Sequence, residues 1–375
     1  MRSVDANSQV IVWFRQDLRL ADNPALDAAV QSGAEILPVF VLDDVNAVEH
    51  ARGAASRWWL HESLAALNKS LDGRLLLLNG DAKTFLPELA REIDAAAVYW
   101  NRCYEPWRIE RDTVIRKTLN DADVSVRSFN GSLLWEPMHV LKADRTPYKV
   151  FTPFYRKGCL GADEAPRRPL PAPENIRFLK GRKGESLDAL RLLPDIPWYE
   201  EMASLWQPGE AGAAERLQTF LDNGLDNYKE GRNRPDLENV SRLSPHLHFG
   251  EVSPNQVWYA AEERGSKDEK DLDHFHSELG WREFSYNLLY HFPELPHENL
   301  QHKFNRFPWR DDDDSLRRWQ QGVTGIPIVD AGMRELWRSG YIHNRVRMIV
   351  ASFLVKNLML DWRHGEAWFR DTLVD

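Results

Sequence analysis

Gly-Ile-Pro-Ile-Val-Asp-Ala-Gly-Met-Arg at residues 325–334, followed by Ser-Gly-Tyr-Ile-His-Asn-Arg-Val-Arg-Met at residues 339–348, is the stretch around which this chain is organised. Pro327 suits a first helical turn, where a missing N–H costs nothing, and Gly340 suits a helix C-terminus. A helix over Ile328–Ser339 is therefore predicted, with a second from about Ile342 that meets no Gly or Pro before Gly365. The middle of that second helix, Ile349 to Val355, is apolar almost all round, which describes a helix buried inside a sizeable domain. Yet Asn344, Arg347 and Met348 share one of its faces, at spacings of three and four. A polar patch leading into an apolar bore is costly unless something in the interior needs those groups.

Working outward, the length of 375 residues exceeds what one hydrophobic core usually organises, so two domains are expected. Hydrophobic residues at 43% and aromatics at 11% describe a folded, soluble chain, and 15 Trp point to stacking, redox or flat-ligand chemistry unless they serve bulk packing. A net charge of −9 argues against a protein that coats nucleic acid without specificity, and leaves room for a local basic patch. Cys103 and Cys159 lie far apart with no partner pattern, so neither a disulfide framework nor a metal cluster is indicated. No secretory h-region opens the chain and no apolar run reaches membrane-spanning length, so a cytoplasmic location away from membranes is expected.

Val10–Phe14, Glu35–Leu42, Arg74–Leu78, Ala96–Asn101 and Val124–Phe129 read as strands. Asn23–Ser32, Ala54–Leu71, Thr84–Ile93 and Glu105–Asn120 read as helices between them. Strict alternation implies a doubly wound, Rossmann-like α/β domain with a five-stranded parallel sheet over residues 1–130. Such sheets bind ligands beyond their carboxyl ends, which makes Trp13-Phe14-Arg15 and Trp100-Asn101-Arg102 candidate pocket walls. No Gly-x-Gly-x-x-Gly follows the first strand, which disfavours a dinucleotide phosphate site there.

Residues 131–206 are rich in proline and read as a linker. They concentrate positive charge in Arg145, Lys149, Arg156, Lys157, Arg167, Arg168, Lys180, Arg182 and Lys183, either as a solvated surface or as a nucleic-acid contact. Residues 207–375 carry helical periods only: Ala213–Leu221, Asn255–Glu263, Leu272–Tyr290, Leu316–Gln321 and the pair already described. Asp311 to Asp314 reads as a solvated loop, and no metal site is expected.

Three places could carry chemistry. Ser241-Arg242-Leu243-Ser244-Pro245 joins an N-cap serine to a helix-starting proline beside a guanidinium, which is either an ordinary cap or a place to hold phosphates. His246 and His248 lack further ligands and read as packing or capping residues. Glu278, Trp281 and Arg282 project from one helical face, where the acid and the cation could form a surface pair and Trp281 could be core. Together with Asn344, Arg347 and Met348 they would suit a planar heterocycle with many edge donors and acceptors.

At these residues the chain resembles the DNA photolyase and cryptochrome family, and most closely its bacterial cyclobutane-dimer photolyases. The resemblance rests on Trp13-Phe14-Arg15-Gln16-Asp17-Leu18-Arg19-Leu20 with Asp22-Asn23-Pro24-Ala25-Leu26, on Ser241 to Ser244, and on Trp281-Arg282-Glu283-Phe284. Thr324-Gly325 with Pro327-Ile328-Val329-Asp330, and His343-Asn344-Arg345, complete it in the family's order. It implies an antenna domain, a linker and a helical FAD-binding domain. Tyr228, Ser241, Arg242, Leu243 and Ser244 would surround the FAD diphosphate, and Arg282, Asn344, Arg347 and Asp375 would approach its sugar chain and ring. Glu278, Asn344 and Met348 would face the lesion, Trp281 would pack on an extruded pyrimidine pair, and Arg232 and Arg345 would meet the DNA backbone. Trp309 and Trp362 match the outer and middle members of an electron-transfer chain.

The implied reaction is light-driven: excited reduced FAD gives an electron to a cyclobutane pyrimidine dimer, the ring splits, and the electron returns. Members acting on (6-4) photoproducts use two histidines where this chain has Asn344 and Met348, neither a useful acid or base near neutral pH, which favours the cyclobutane dimer. The resemblance implies a second, antenna chromophore, either a folate or a deazaflavin or flavin. Trp107 and Arg108 replace the Asn-Glu pair of some folate-binding members. Family members continue past Asp375 through a third tryptophan and the residue facing flavin N5, so a C-terminal truncation with an incomplete helical domain is expected. A monomer acting on dimer-containing DNA is the first reading. The alternatives are a cryptochrome-type signalling flavoprotein without repair, or an inactive fragment whose N-terminal domain folds alone.

Overall fold

Val10, Val12 and Phe14 face one side of the first strand and Ile11 and Trp13 the other, and all five are at most 1% exposed. A strand buried on both faces belongs inside a parallel sheet. The computed structural model, which describes residues 4–375, places it there. Strands β1 (Gln9–Phe14), β2 (Glu35–Leu42), β3 (Leu76–Asn79), β4 (Ala97–Asn101) and β5 (Ser125–Phe129) form one parallel sheet in the order β3-β2-β1-β4-β5. Helices α1 (Pro24–Gln31) and α2 (Ala54–Ser70) cover one face, and α3 (Ala82–Glu92) and α4 (Pro106–Asp121) the other. The third helix starts two residues before the predicted Thr84 because the Asp81 side chain accepts the Lys83 N–H (2.9 Å), a cap that hydrophobic periodicity does not register.

The α/β core is not self-contained. Trp206, Phe249, Tyr341 and Val374 of the C-terminal half pack into the cluster on the α1/α2 face. Across the same seam the Trp59 indole N–H donates to Glu251 (2.9 Å) and the Leu18 N–H to the Phe249 carbonyl (3.1 Å).

The proline-rich segment divides between both halves. Leu134 to Cys159 contributes to the helical core, whereas Arg177 and Leu179 hydrogen-bond to Ile36 at the start of β2. Much of its positive charge is neutralised internally: Arg156 pairs with Asp273 (2.6 Å), Arg167 with Asp22 (2.6 Å) and Arg182 with Glu92 (2.9 Å).

The helices that matter most in the rest are α5 (Glu210–Asn223), α6 (Ser244–Phe249), α7 (Pro254–Arg264), α8 (Glu269–His291), α9 (Asp313–Gln321), α10 (Pro327–Ser339), α11 (Asn344–Ser352) and α12 (Trp362–Thr372), with short turns of helix at Glu200–Leu205 and Tyr228–Gly231 beside them. Asp312 caps α9 through the Ser315 N–H (3.0 Å), so the acidic run is partly a helix start and not a free loop.

The opening stretch needs two corrections. The predicted continuous helix from Ile342 starts at Asn344, loosens into π-type turns over Phe353–Asn357, and stops. Met359 takes a left-handed φ of 57°, and Asp361 caps a fresh helix through the Arg363 N–H (3.0 Å). The predicted all-round burial is also one-sided. Val346, Val350 and Leu354 pack against α10, whereas Met348 and Ile349 are 56% and 41% exposed, because α10 covers only one face. Among the described residues no helix is long and apolar enough to cross a membrane.

Candidate functional site

The loop Ser241–Ser244 enters α6 through an Arg242 with left-handed φ of 51°, and Leu243, 1% exposed, anchors it in the helical core. The expected serine cap is absent. No side chain caps α6, and the Ser244 hydroxyl donates instead to Asp375 Oδ2 (2.6 Å). Arg347 Nη2 donates to both oxygens of the same carboxylate (3.0 and 3.1 Å), so residues far apart in sequence converge on Asp375. The Arg242 guanidinium lies 5.3 Å from the Tyr341 ring centre. Burial pushes the Tyr341 phenol up to about 12, and lowers the His343 imidazole with help from Arg232.

Two depressions adjoin this network. The smaller, about 340 Å³, is lined by Ser241, Arg242, Glu335, Tyr341 and His343. The larger, about 1290 Å³, lies between the two halves, with Arg52, Trp107 and Arg108 on one wall and Leu354, Trp362, Phe369 and Asp375 on the other. Its size exceeds the roughly 300–1,000 Å³ of most ligand pockets. His248 also lines it, and burial together with Arg52 pushes that imidazole down to about 4. Buried Arg347 Nε, His343 Nε2 and Trp362 Nε1 have no hydrogen-bond partner among the described residues. Two guanidinium groups, two hydroxyls and orphaned donors beside an aromatic-walled cavity fit a diphosphate joined to a flat ring system, which is the chemistry of FAD.

A second group faces solvent. Arg232, expected to meet a DNA backbone, is 6% exposed and engages Glu278 with both Nη atoms, Nη2 to Oε2 at 2.8 Å. Both of its Nη atoms are engaged by that carboxylate, and the i,i+4 pair of Glu278 with Arg282 does not form. Arg282 turns instead to the Ser132 carbonyl (2.8 Å). Tyr228 lies buried beneath Arg232, 5.8 Å from its ring centre to the guanidinium. Arg345 donates to Asn233 (2.8 Å), the residue after Arg232 in sequence. Its Nη1 approaches Met348 Sδ at 3.6 Å. Asn344 is exposed at the start of α11. Trp281 is 46% exposed and stacks flat on Phe151, with ring centres 3.8 Å apart and planes at 10°. Trp309 is half-buried against Phe307, and the Arg310 N–H to Met359 carbonyl bond (2.8 Å) joins its segment to the one leading into Trp362.

Sequence reasoning assigned no role to Phe151, nor to Glu283 beyond its place in the Trp281–Phe284 motif. The aromatic run Phe151-Thr-Pro-Phe-Tyr, set in a polar, proline-rich segment, was the available sign of the first. Glu283, 1% exposed, accepts the Leu134 and Trp135 N–H groups (2.9 and 3.1 Å), and no local pattern announces such a partner.

Comparison with known proteins agrees with this geometry. Residues 10–174 match the family described as DNA photolyase, and residues 275–375 match the FAD binding domain of DNA photolyase. A deoxyribodipyrimidine photo-lyase of Agrobacterium fabrum is 48% identical over 98% of this chain and 77% of its own length. Cryptochrome-1 of Arabidopsis thaliana is 36% identical over 97% of this chain, which spans 55% of that protein. The crystal structure of a bacterial class III photolyase from Agrobacterium tumefaciens superposes with a TM-score of 0.93 at 47% identity, covering 98% of this chain and 77% of that one. With its α/β sheet, its helical FAD-binding half and these relatives, the chain belongs to the DNA photolyase family.

Proposed function

We propose that the chain carries the machinery for light-dependent repair of cyclobutane pyrimidine dimers in DNA. The observation that carries this reading is the pairing of a half-exposed, rigidly stacked Trp281 with the Arg232-held carboxylate of Glu278 one helical turn away. A pyrimidine pair turned out of the helix needs a flat apolar plate to replace its lost stacking, and Trp281 backed by Phe151 offers one. Glu278 keeps part of its surface open, so its oxygens can accept from the N–H edge of a pyrimidine. Arg345 serves the DNA backbone, and Arg232 positions Glu278. Asn344 and Met348 supply hydrogen-bonding and polarizable contact but no proton-transfer group, which favours cyclobutane dimers over (6-4) photoproducts.

FAD, when bound, supplies the light absorption and the transferred electron that open the cyclobutane ring. Ser241, Arg242, Ser244 and Arg347 would hold its diphosphate and sugar chain. Trp362, with Trp309 outward of it, would carry electrons inward. A folate, deazaflavin or flavin antenna would accompany it, and the protein would act as a monomer.

Blue-light repair of a thymine-dimer oligonucleotide by the FAD-loaded chain tests the reading, with Glu278→Gln expected to lower repair. Stoichiometric FAD without any repair would refute it and leave the signalling role of the cryptochrome relatives.

A further inference from the structure

We propose that Glu49, His50 and His297 bind a single divalent transition-metal ion of the zinc class at the mouth of the interdomain cavity. None of the three belongs to the network around Asp375 described above, although both histidines line the rim of the adjoining cavity. Glu49 and His50 lie in the short turn Val48–His50 that follows β2, and His297 lies in the loop after α8. His297 Nε2 is 3.4 Å and His50 Nε2 3.8 Å from Glu49 Oε1, and the three ligand atoms lie within 4.8 Å of one another. A tetrahedron with metal–ligand arms of about 2.0–2.1 Å has edges of about 3.4 Å, so the donors already stand near coordinating separation. The imidazole rings are 6.0 Å apart and tilted by 46°, so neither shields the other from a shared ion.

Donor chemistry narrows the ion. Two imidazole nitrogens and one carboxylate oxygen suit zinc, cobalt or nickel, whereas magnesium and calcium prefer oxygen throughout. Three protein ligands leave a position open, and both histidines line the cavity, so that position faces a space able to hold a water or an anionic ligand group.

The scaffold also points to a built site. Arg370 donates to the Glu49 carbonyl and Arg363 to the His297 carbonyl, so opposite ends of α12 hold the two ligand-bearing backbones in register. Without metal, the cluster would be an exposed ion-pair group that needs protonated imidazoles. With metal, the imidazoles are neutral and the two halves of the molecule are tied together.

The test uses the full chain, freed of metal with a chelator and titrated near neutral pH with zinc by calorimetry and with cobalt by visible absorption. One ion per chain is expected, with cobalt bands of four- or five-coordination and a rise in melting temperature that the chelator reverses. His50→Ala and His297→Ala should each weaken zinc binding on the order of a hundredfold, at the upper end of what losing a ligand-orienting group causes. His302→Ala, an exposed histidine nearby in the chain, should change nothing. Glu49→Gln, which preserves shape, should also bind weakly while melting like the metal-free parent, which guards against misfolded alanine variants. Absence of one-to-one binding, wild-type affinity in His50→Ala and His297→Ala, or an equal loss in His302→Ala would overturn the proposal.

Discussion

Glu278 and Glu283 sit five residues apart on one helix and meet opposite fates. Glu278 is partly open and paired with an Arg232 that is nearly buried, so Glu278→Ala strands a charge. We expect a loss of about 2 kcal/mol in urea unfolding, below the roughly 3–5 kcal/mol of a fully buried pair because solvent reaches the carboxylate. A loss under about 0.5 kcal/mol would show that Arg232 finds water easily and that the pair is ordinary surface chemistry. Glu283 is buried, and that burial pushes its carboxyl up to about 7 from 4.5, against the pull of Arg282 and the Leu134 and Trp135 N–H groups. A raised acid favours the folded state when protonated. Its contribution is complete below about pH 4.5 and is lost as pH rises through about 7. Glu283→Gln should therefore gain on the parent between pH 5 and pH 8, by up to about 3 kcal/mol. Urea midpoints of both proteins at the two pH values decide this, and a gap independent of pH would remove the ionisation from the account.

At the scale of elements, α12 depends on a glycine in another domain. A Cβ on Gly53 would lie 2.0 Å from the Arg370 carbonyl oxygen and 2.4 Å from Asp371 Cα, both backbone atoms. Neighbouring Ala54 donates its N–H to Asp371 (2.9 Å), so α12 cannot back away without losing that bond. Gly53→Ala should cost about 1–3 kcal/mol as an overpacked contact. It should also speed hydrogen exchange in 362–372 ahead of the sheet, and unchanged exchange there would mean that the seam tolerates a methyl group. The break between α11 and α12 places Trp362 at the start of a new helix beside the cavity instead of inside a continuous one.

At the scale of the molecule, the two halves share one core. Trp206, Phe249, Tyr341 and Val374 pack with Trp59 and Phe14, and Arg19, 1% exposed, donates to the Gly250 carbonyl (2.9 Å). Residues 1–130 alone would leave that apolar face in water, so we expect cooperative unfolding of the two halves and not the separately folding N-terminal domain of the inactive-fragment alternative. Calorimetry of the whole chain should record one transition, and two well-separated ones would restore the independent domain.

The sequence by itself determined the sheet, the order and kind of its elements, and the family. Each is written in short-range terms: a period of two or 3.6, a proline or glycine at a helix end, a run of motif residues such as Trp281-Arg282-Glu283-Phe284. Ser241–Ser244 and Arg347 were legible as candidates for the same reason, and Asp375 only through the resemblance to the family. Only the tertiary structure decided their partners. Glu278 takes Arg232 and not Arg282, Trp281 takes Phe151, Ser244 turns from its helix to Asp375, and His50 finds His297. A long polar side chain chooses whichever complementary group the folded backbone brings within about 3 Å, and that approach is set by the packing of the whole core, which no local period encodes.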